Sequence, residues 1–517
     1  MYQMKKNIAV LLFSLLPAAL AAGEIWVSPA GSDKAAGTKE QPLQSLRQAL
    51  QTARDWRRTH DRRVQGGIAI IMRGGTYCLQ EPVFIRPDDS GTEESPTVIR
   101  SAEGERAVLS GGKPAAAGVI APYPTMQRIL AIDREAETIT IPAAAVEGCS
   151  PEGLAMVVHQ RWAIAILRVD RWQTEDGRAI VSFRQPESAL EFRHPYPQPV
   201  IGGEKGNSSF CLIRLEKSEL LNRLLTIEGT AGYPVSNVVI DGIAFENAAW
   251  KRPAEQGHVT LQGGFPIVDA YQMQQPGTRW STTLENQAWI ERPEAAVSVK
   301  WATGVCFYNC EFKQLAATAL DFCIGVKRSA VSGCSFSDIG GTAVMAGSFQ
   351  ESPVETHVPY DPVNPQEYVD GLDISNNVIR RATMRDYGAA GIQCGYVRNT
   401  VISKNRVDSV NWSGICLGWG WTPLDTGMER NAIIDNQVSH YALNMHDSGA
   451  IYTLSNQPGS VISGNEVSAP GEAPYATNDR VFPLYLDDSS DGFTISGNNF
   501  GRQDAGTNRP GPQIVFK

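Results

Sequence analysis

The feature that most constrains this chain is a six-residue phrase that occurs four times between Ile402 and Phe500. It reads Ile402-Ser-Lys-Asn405-Arg-Val407, Ile433-Ile-Asp-Asn436-Gln-Val438, Ile462-Ser-Gly-Asn465-Glu-Val467 and Ile495-Ser-Gly-Asn498-Asn-Phe500, with Asn-to-Asn steps of 31, 29 and 33 residues. An apolar residue stands three before each Asn and another two after it. Pieces this short and this rich in β-branched residues read as strands, not helix turns. Recurrence near 30 residues with one strand signal per unit is the mark of a solenoid, in which each coil buries its face on the next. Asn at one repeated inward corner fits, because stacked side-chain amides hydrogen-bond from coil to coil. The expected fold is all-β, a parallel β-helix.

Upstream the phrase persists with its corner residue changed. Ile374-Ser-Asn-Asn377-Val-Ile379 keeps Asn, Val331-Ser-Gly-Cys334-Ser-Phe336 and Phe307-Tyr-Asn-Cys310-Glu-Phe312 carry Cys, and Ile240-Asp-Gly-Ile243-Ala-Phe245 carries Ile. From Ile243 to Asn405 the steps are 67, 24, 43 and 28 residues, so the coils starting at Ile243 and Cys334 hold long insertions. Unusually long solenoid loops gather where coils turn and commonly serve function. Cys310 and Cys334 share the corner in neighbouring coils, as a packed thiol pair or a bridge; with nine cysteines, one at least stays unpaired.

Four regions follow. Residues 1–22 read as a signal peptide: Lys5 and Lys6, an apolar run from Ile8 to Leu20, and small residues at Ala19-Leu-Ala21. This predicts export to the periplasm or the exterior of a bacterial cell, with no membrane attachment after cleavage. Residues 23–112 read as an N-terminal cap and first coils, with an amphipathic helix over Pro42 to Arg58 covering the open end. In residues 113–232 the phrase vanishes, and segments such as Ile139-Thr-Ile141, Met156-Val-Val158, Ala163-Ile-Ala-Ile-Leu167 and Leu224-Leu-Thr-Ile227 suggest an inserted antiparallel β module. Residues 233–517 carry the main coils. A formal charge of -9 without a basic cluster argues against nucleic acid and suits a neutral sugar polymer.

After each corner phrase comes a second strand, whose period-two alternation sends Asp321, Met345, Gln393, Cys416, Tyr452 and Tyr485 outward as one row. Polar and aromatic groups beside a glycine-lined trough suit a saccharide, which needs a ring to stack on and partners for its hydroxyls. Asp447 falls just before one such strand, and Asp487 and Asp488 close the strand of the following coil. Two carboxyls flanking a glycosidic bond, one protonated and one ionised, are what glycoside hydrolysis requires. Asp487 and Asp488 are both candidates beside Asp447. Substrate-binding candidates are Trp419, Trp421, Tyr452, Tyr485, Gln393, His446 and Asp321, with Trp250, His258 and Trp280 from the first long insertion. No zinc spacing, phosphate loop or nucleophile elbow occurs. No cofactor is expected, although Asp487, Asp488 and Asp491 are suited to a hard cation such as Ca²⁺.

The chain also resembles a known group. Trp26-Val-Ser-Pro-Ala-Gly-Ser-Asp33, Arg73-Gly-Gly-Thr-Tyr77 and Leu109-Ser-Gly-Gly112 are similar to the start of secreted bacterial β-helix glycosidases. Asp386-Tyr-Gly-Ala-Ala-Gly-Ile392, Gly414-Ile-Cys-Leu-Gly-Trp-Gly-Trp421 and Asp447-Ser-Gly-Ala-Ile-Tyr-Thr453 most resemble glycoside hydrolase family 141. The resemblance implies a right-handed, pectate-lyase-like helix, α-L-fucosidase or xylanase activity on plant or other complex polysaccharides, and an acidic pair on the Asp447 and Tyr485-Leu-Asp-Asp488 motifs. The alternatives are a polysaccharide lyase on the same fold and a non-catalytic glycan-binding solenoid.

Overall fold

The computed structural model describes residues 23–113, 122–194, 197–215, 218–271 and 287–517. The signal-peptide segment and Trp280 lie outside them. Three long parallel sheets run the length of the molecule, and each coil contributes one strand to each in turn. The apolar residue before each corner lies in the first sheet: Ile374, Ile402, Ile433, Ile462 and Ile495 pair in register. The apolar residue after it lies in the second sheet, where Phe245, Phe312, Phe336, Ile379, Val407, Val438 and Val467 follow one another. Stacking the same residue type on itself makes the core: the Phe312 and Phe336 rings lie 4.6 Å apart at 4°.

The corner amides form the predicted ladder. Each Nδ2 donates to the Oδ1 of the next coil, Asn377 to Asn405 at 2.9 Å, Asn405 to Asn436 and Asn436 to Asn465 at 3.0 Å, and Asn465 to Asn498 at 2.8 Å. Each of these amides also reaches a main-chain carbonyl of the preceding coil, as Asn405 does to Ile374 at 2.8 Å. Where Cys replaces Asn, the thiol takes over that bond: Cys310 points at the Ile240 carbonyl and Cys334 at that of Phe307. Both are free thiols.

The capping helix begins at Leu46, not Pro42. Ser45 is its N-cap, accepting from the Gln48 amide, and Leu46, Ala49, Leu50 and Ala53 are its buried stripe. Leu43 instead bridges to Val27. The antiparallel sheet extends from Gln127 to Arg214. Leu225–Glu228 is not part of it; that strand pairs in parallel with Val83–Ile85 and Ala295–Lys300 and belongs to the third solenoid sheet.

Both the antiparallel module and the segment after Ala248 are inserted at the turn from second to third sheet, whereas residues 348–368 leave the far edge of the third sheet. The inserted pieces interlock, since His258–Val259 pairs with the module strand Ile164–Glu175. Together they cover the outer face of the third sheet.

Candidate active site

The outward row lies in register as the alternation requires: Asp321, Met345, Gln393, Cys416, Tyr452 and Tyr485 pair successively along the third sheet. The face is a roofed one, however, not an open trough. Met345, Phe265 and Phe349 form a cluster with strands of the module, and Tyr452, Tyr485 and Trp412 form a second one.

At the far end of the row, Asp447 and Asp487 stand at opposite ends of adjacent strands, near enough for their charges to interact. Asp447 sits in a left-handed turn at φ 56°, a conformation Asp tolerates, and its carbonyl accepts from the Trp412 indole at 3.0 Å. Two residues on, Gly449 lets the strand fold tightly onto its neighbour. A Cβ there would lie 2.6 Å from the Ile451 carbonyl oxygen and 3.0 Å from the Tyr485 Cβ. The Tyr485 phenol donates to Asp447 Oδ1 at 3.2 Å.

Asp487 is gripped from two sides, by the Tyr452 phenol and by Asn508 Nδ2 at 2.7 Å. The two phenol rings meet edge to face, 5.4 Å apart. Gln262, from the insertion, donates to the Tyr452 hydroxyl at 3.1 Å and fixes the near end of this chain of bonds.

The electrostatics separate the two acids. Burial pushes the Asp447 carboxyl up to about 6, the negative charge of Asp487 adds to the rise, and Arg480, the Tyr485 phenol and Arg161 oppose it. Burial also raises Asp487, while the Tyr452 phenol and the Asn508 amide favour its ionised form. Arg480 is held protonated by Asp447 and bonds the Tyr485 phenol.

Arg480, Asn508, Gln262 and Trp412 were not among the sequence candidates. Arg480 was within reach of coil counting: Ser448 pairs with Val481, so the residue before each strand faces its counterpart.

The other candidates are placed as follows. Asp488 is buried and ion-paired to Arg509 Nη2 at 2.8 Å, with Ser489 on its other oxygen. Trp419 is not an exposed platform: it is 1% accessible, its indole donates to Thr356 at 2.9 Å, and the Phe265, Phe349 and Trp421 rings enclose it. Trp421 is partly buried and packs on His357 at 4.8 Å. Gln393 lies under Gly263, so close that a Cβ on that glycine would overlap its amide. Asp321 is neutralised by Arg292, with bonds of 2.6 Å, so it braces the roof and does not face a ligand. His446 donates through Nδ1 to the Asn478 carbonyl and does not orient Asp447; the Tyr485 phenol does. Trp250 and His258 pack together in a different recess, described below. Among the described residues, no cluster of three His, Cys, Asp or Glu is arranged for a metal.

Comparison with known proteins adds four observations. A family model for the insertion domain of glycoside hydrolase family 141 matches residues 106–223. A solved structure of a glycoside hydrolase is 35% identical, with a TM-score of 0.89 and 96% of each chain covered. Among curated proteins, pectate lyase PEL9 of Emericella nidulans is 42% identical over 98 residues, which is 19% of this chain and 20% of that one. The uncharacterized protein YwoF of Bacillus subtilis is 34% identical over 87 residues, 17% of this chain and 15% of that one. The chain thus spans a fifth or less of the curated relatives it matches.

Proposed function

This chain belongs to the family-141-like glycoside hydrolases, and from that premise we propose that it cleaves a glycosidic bond with Asp447 as general acid and Asp487 as the ionised partner. The observation that carries the assignment is the electrostatic pairing of two carboxyls, each on its own phenol, with one held up near 6. A glycosidase needs that asymmetry, one acid keeping its proton for the leaving oxygen while the other stays charged as base or nucleophile. Asp487 is preferred over Asp488 because Asp488 is engaged by Arg509 at the strand end. Tyr485, Tyr452, Asn508 and Gln262 are positioning residues, fixing the carboxyls through their own bonds.

A neutral sugar in a plant or other complex polysaccharide is the substrate class favoured by the acidic chain, with α-L-fucoside or xylan linkages as the first to test. The apolar leader in the sequence supports action outside the cytoplasm. A lyase reading needs a neutral base beside the cleaved bond. Arg480, which bonds the Tyr485 phenol, has its charged form stabilised by Asp447, which suits it to hold a substrate oxygen and not to take a proton.

The deciding experiment screens aryl glycosides and polysaccharides for reducing ends, with ultraviolet detection of unsaturated products in parallel. Asp487→Asn should lose at least about 10²-fold in kcat on the best substrate, and Asp488→Asn far less. Unsaturated products, or the reverse order of the two variants, would overturn the assignment.

A further inference from the structure

Two coils away from Asp447, at the same turn from second to third sheet, lies a recess of about 160 Å³. Its lining includes Trp250, Arg252, His258, Glu294, Thr342 and Asp386. Its floor is the start of the third-sheet coils at Thr318, Thr342 and Ala389, and its lid is the insertion after Ala248. The Ile392–Cys394 strand beside it is two pairings from Ser448–Thr453, about 10 Å along the helix axis at ~4.8 Å per coil.

The segment Gln262-Gly263-Gly264 separates the two sites. Gln262 faces Tyr452 and so the carboxyl pair, while Gly263 and Gly264 line the recess. Glycine is required in the partition: a Cβ on Gly264 would stand 2.5 Å from Asp386 Oδ2. On the second side the module closes the gap, since a Cβ on Gly388 would meet the Ala163 Cα at 2.9 Å.

The recess is polar and unfinished. His258 Nε2 is bound to Asp386 Oδ2 at 3.0 Å, and Trp250 packs edge-on to the imidazole at 4.7 Å. The second atoms of that pair, His258 Nδ1 and Asp386 Oδ1, have no partner, and neither has Thr342 Oγ1 or Arg252 Nε. His258 and Thr342 are 2% and 1% accessible, so these are buried groups that water-exposed alternatives cannot satisfy. Such orphans are costly unless something fills the site.

From these groups we infer that the recess is a second carbohydrate site, taking one neutral pyranose-sized sugar unit apart from the catalytic pair. Arg252 Nε can only donate and an ionised Asp386 oxygen can only accept, whereas Thr342 and His258 can do either. Ring hydroxyls answer all four. The volume is several times the ~30 Å³ share of one water and suits one ring. An acidic sugar is disfavoured, because its carboxylate would enter beside Asp386 and Glu294, while the two lining cations are already paired, Arg252 with Glu291 and Arg292 with Asp321 and Glu351. Burial raises the Glu294 carboxyl from its usual value, a sign that a desolvated negative charge is unfavourable there.

The inference stands on the recess alone and does not depend on which carboxyl is the acid. The test is saturation-transfer NMR of the full-length enzyme with D-xylose, L-fucose, D-galactose and D-glucuronate. At least one neutral sugar should saturate at millimolar concentration, with D-glucuronate at least tenfold weaker. Thr342→Val should weaken that sugar about tenfold, Thr342→Ser should restore it, and both should keep the parent's kcat on an aryl glycoside. No saturable neutral sugar, equal binding of D-glucuronate, or parent-like binding by a folded Thr342→Val variant would each overturn the inference. Loss of hydrolysis in Asp447→Asn with sugar binding retained would separate the two sites.

Discussion

Replacing Asp447 with Asn tests the acid assignment through two measurements that move in opposite directions. The side chain keeps its size and its bond to the Tyr485 phenol but can no longer carry a proton to the leaving oxygen. Turnover on a substrate with a poor leaving group should fall by at least about 10²-fold, the scale of general-acid assistance. In the parent the group works while protonated, so kcat/KM should decline as pH rises through about 6, and that alkaline limb should be missing in the variant.

The same shift acts on stability. The folded carboxyl titrates at about 6 against a reference of 3.8, so the native state binds more protons between those values. Stability from this group is therefore lost as pH rises through that window, and above it the charge remains as a penalty. A shift of roughly two units corresponds to about 3 kcal/mol at 1.36 kcal/mol per unit. Asp447→Asn removes that penalty at pH 8 and changes nothing near pH 3.5. For a chain of this length 1 kcal/mol moves Tm by about 1 °C, so Tm should rise by about 1–3 °C at pH 8 only. An unchanged alkaline limb, full turnover, or a variant less stable than the parent at pH 8 would refute the reasoning.

Three further substitutions probe the supports. Tyr452→Phe removes the phenol that favours ionised Asp487, so the acidic limb of kcat/KM should move to higher pH with kcat lowered about tenfold; a pH–rate profile with the parent's acidic limb would count against it. Arg292→Leu leaves Asp321 and Glu351 without their shared cation, and denaturant unfolding should show a loss of about 3–5 kcal/mol. Asn436→Ala deletes donors to Asn465 and Ile402 and the acceptor for Asn405, and should cost about 2–4 kcal/mol in the same assay.

The coils were legible because the solenoid repeats its constraints. Isoleucine before the corner and Asn at it recur in every late coil, and one strand's alternation predicts its neighbours', so the outward row from Asp321 to Tyr485 could be placed by counting. What covers that row was not legible. Trp419 and Gln393 point outward from the helix yet are buried, because inserted segments fold back over them across large sequence distances. Tertiary closure of this kind leaves no periodic trace. Trp250 and His258 show the same limit: their residue types suggested a sugar, but only the fold places them in a recess apart from the acids. Arg480 and Asn508 fall between these cases, at coil positions whose register could be counted but whose side-chain reach could not.

The amide ladder also bears on how the molecule ages. An asparagine deamidates when the main-chain nitrogen of the following residue attacks its side-chain carbonyl, most readily when that residue is glycine. Here glycine precedes the corner in several coils and never follows it; Val378, Arg406, Gln437, Glu466 and Asn499 do. Each of those five nitrogens is already committed to a carbonyl of the preceding coil, at 2.8–2.9 Å. The attacking atom is thus held in the sheet while the target amide is held in the ladder. The hydrogen bonds that align the coils also shield them from slow chemical decay.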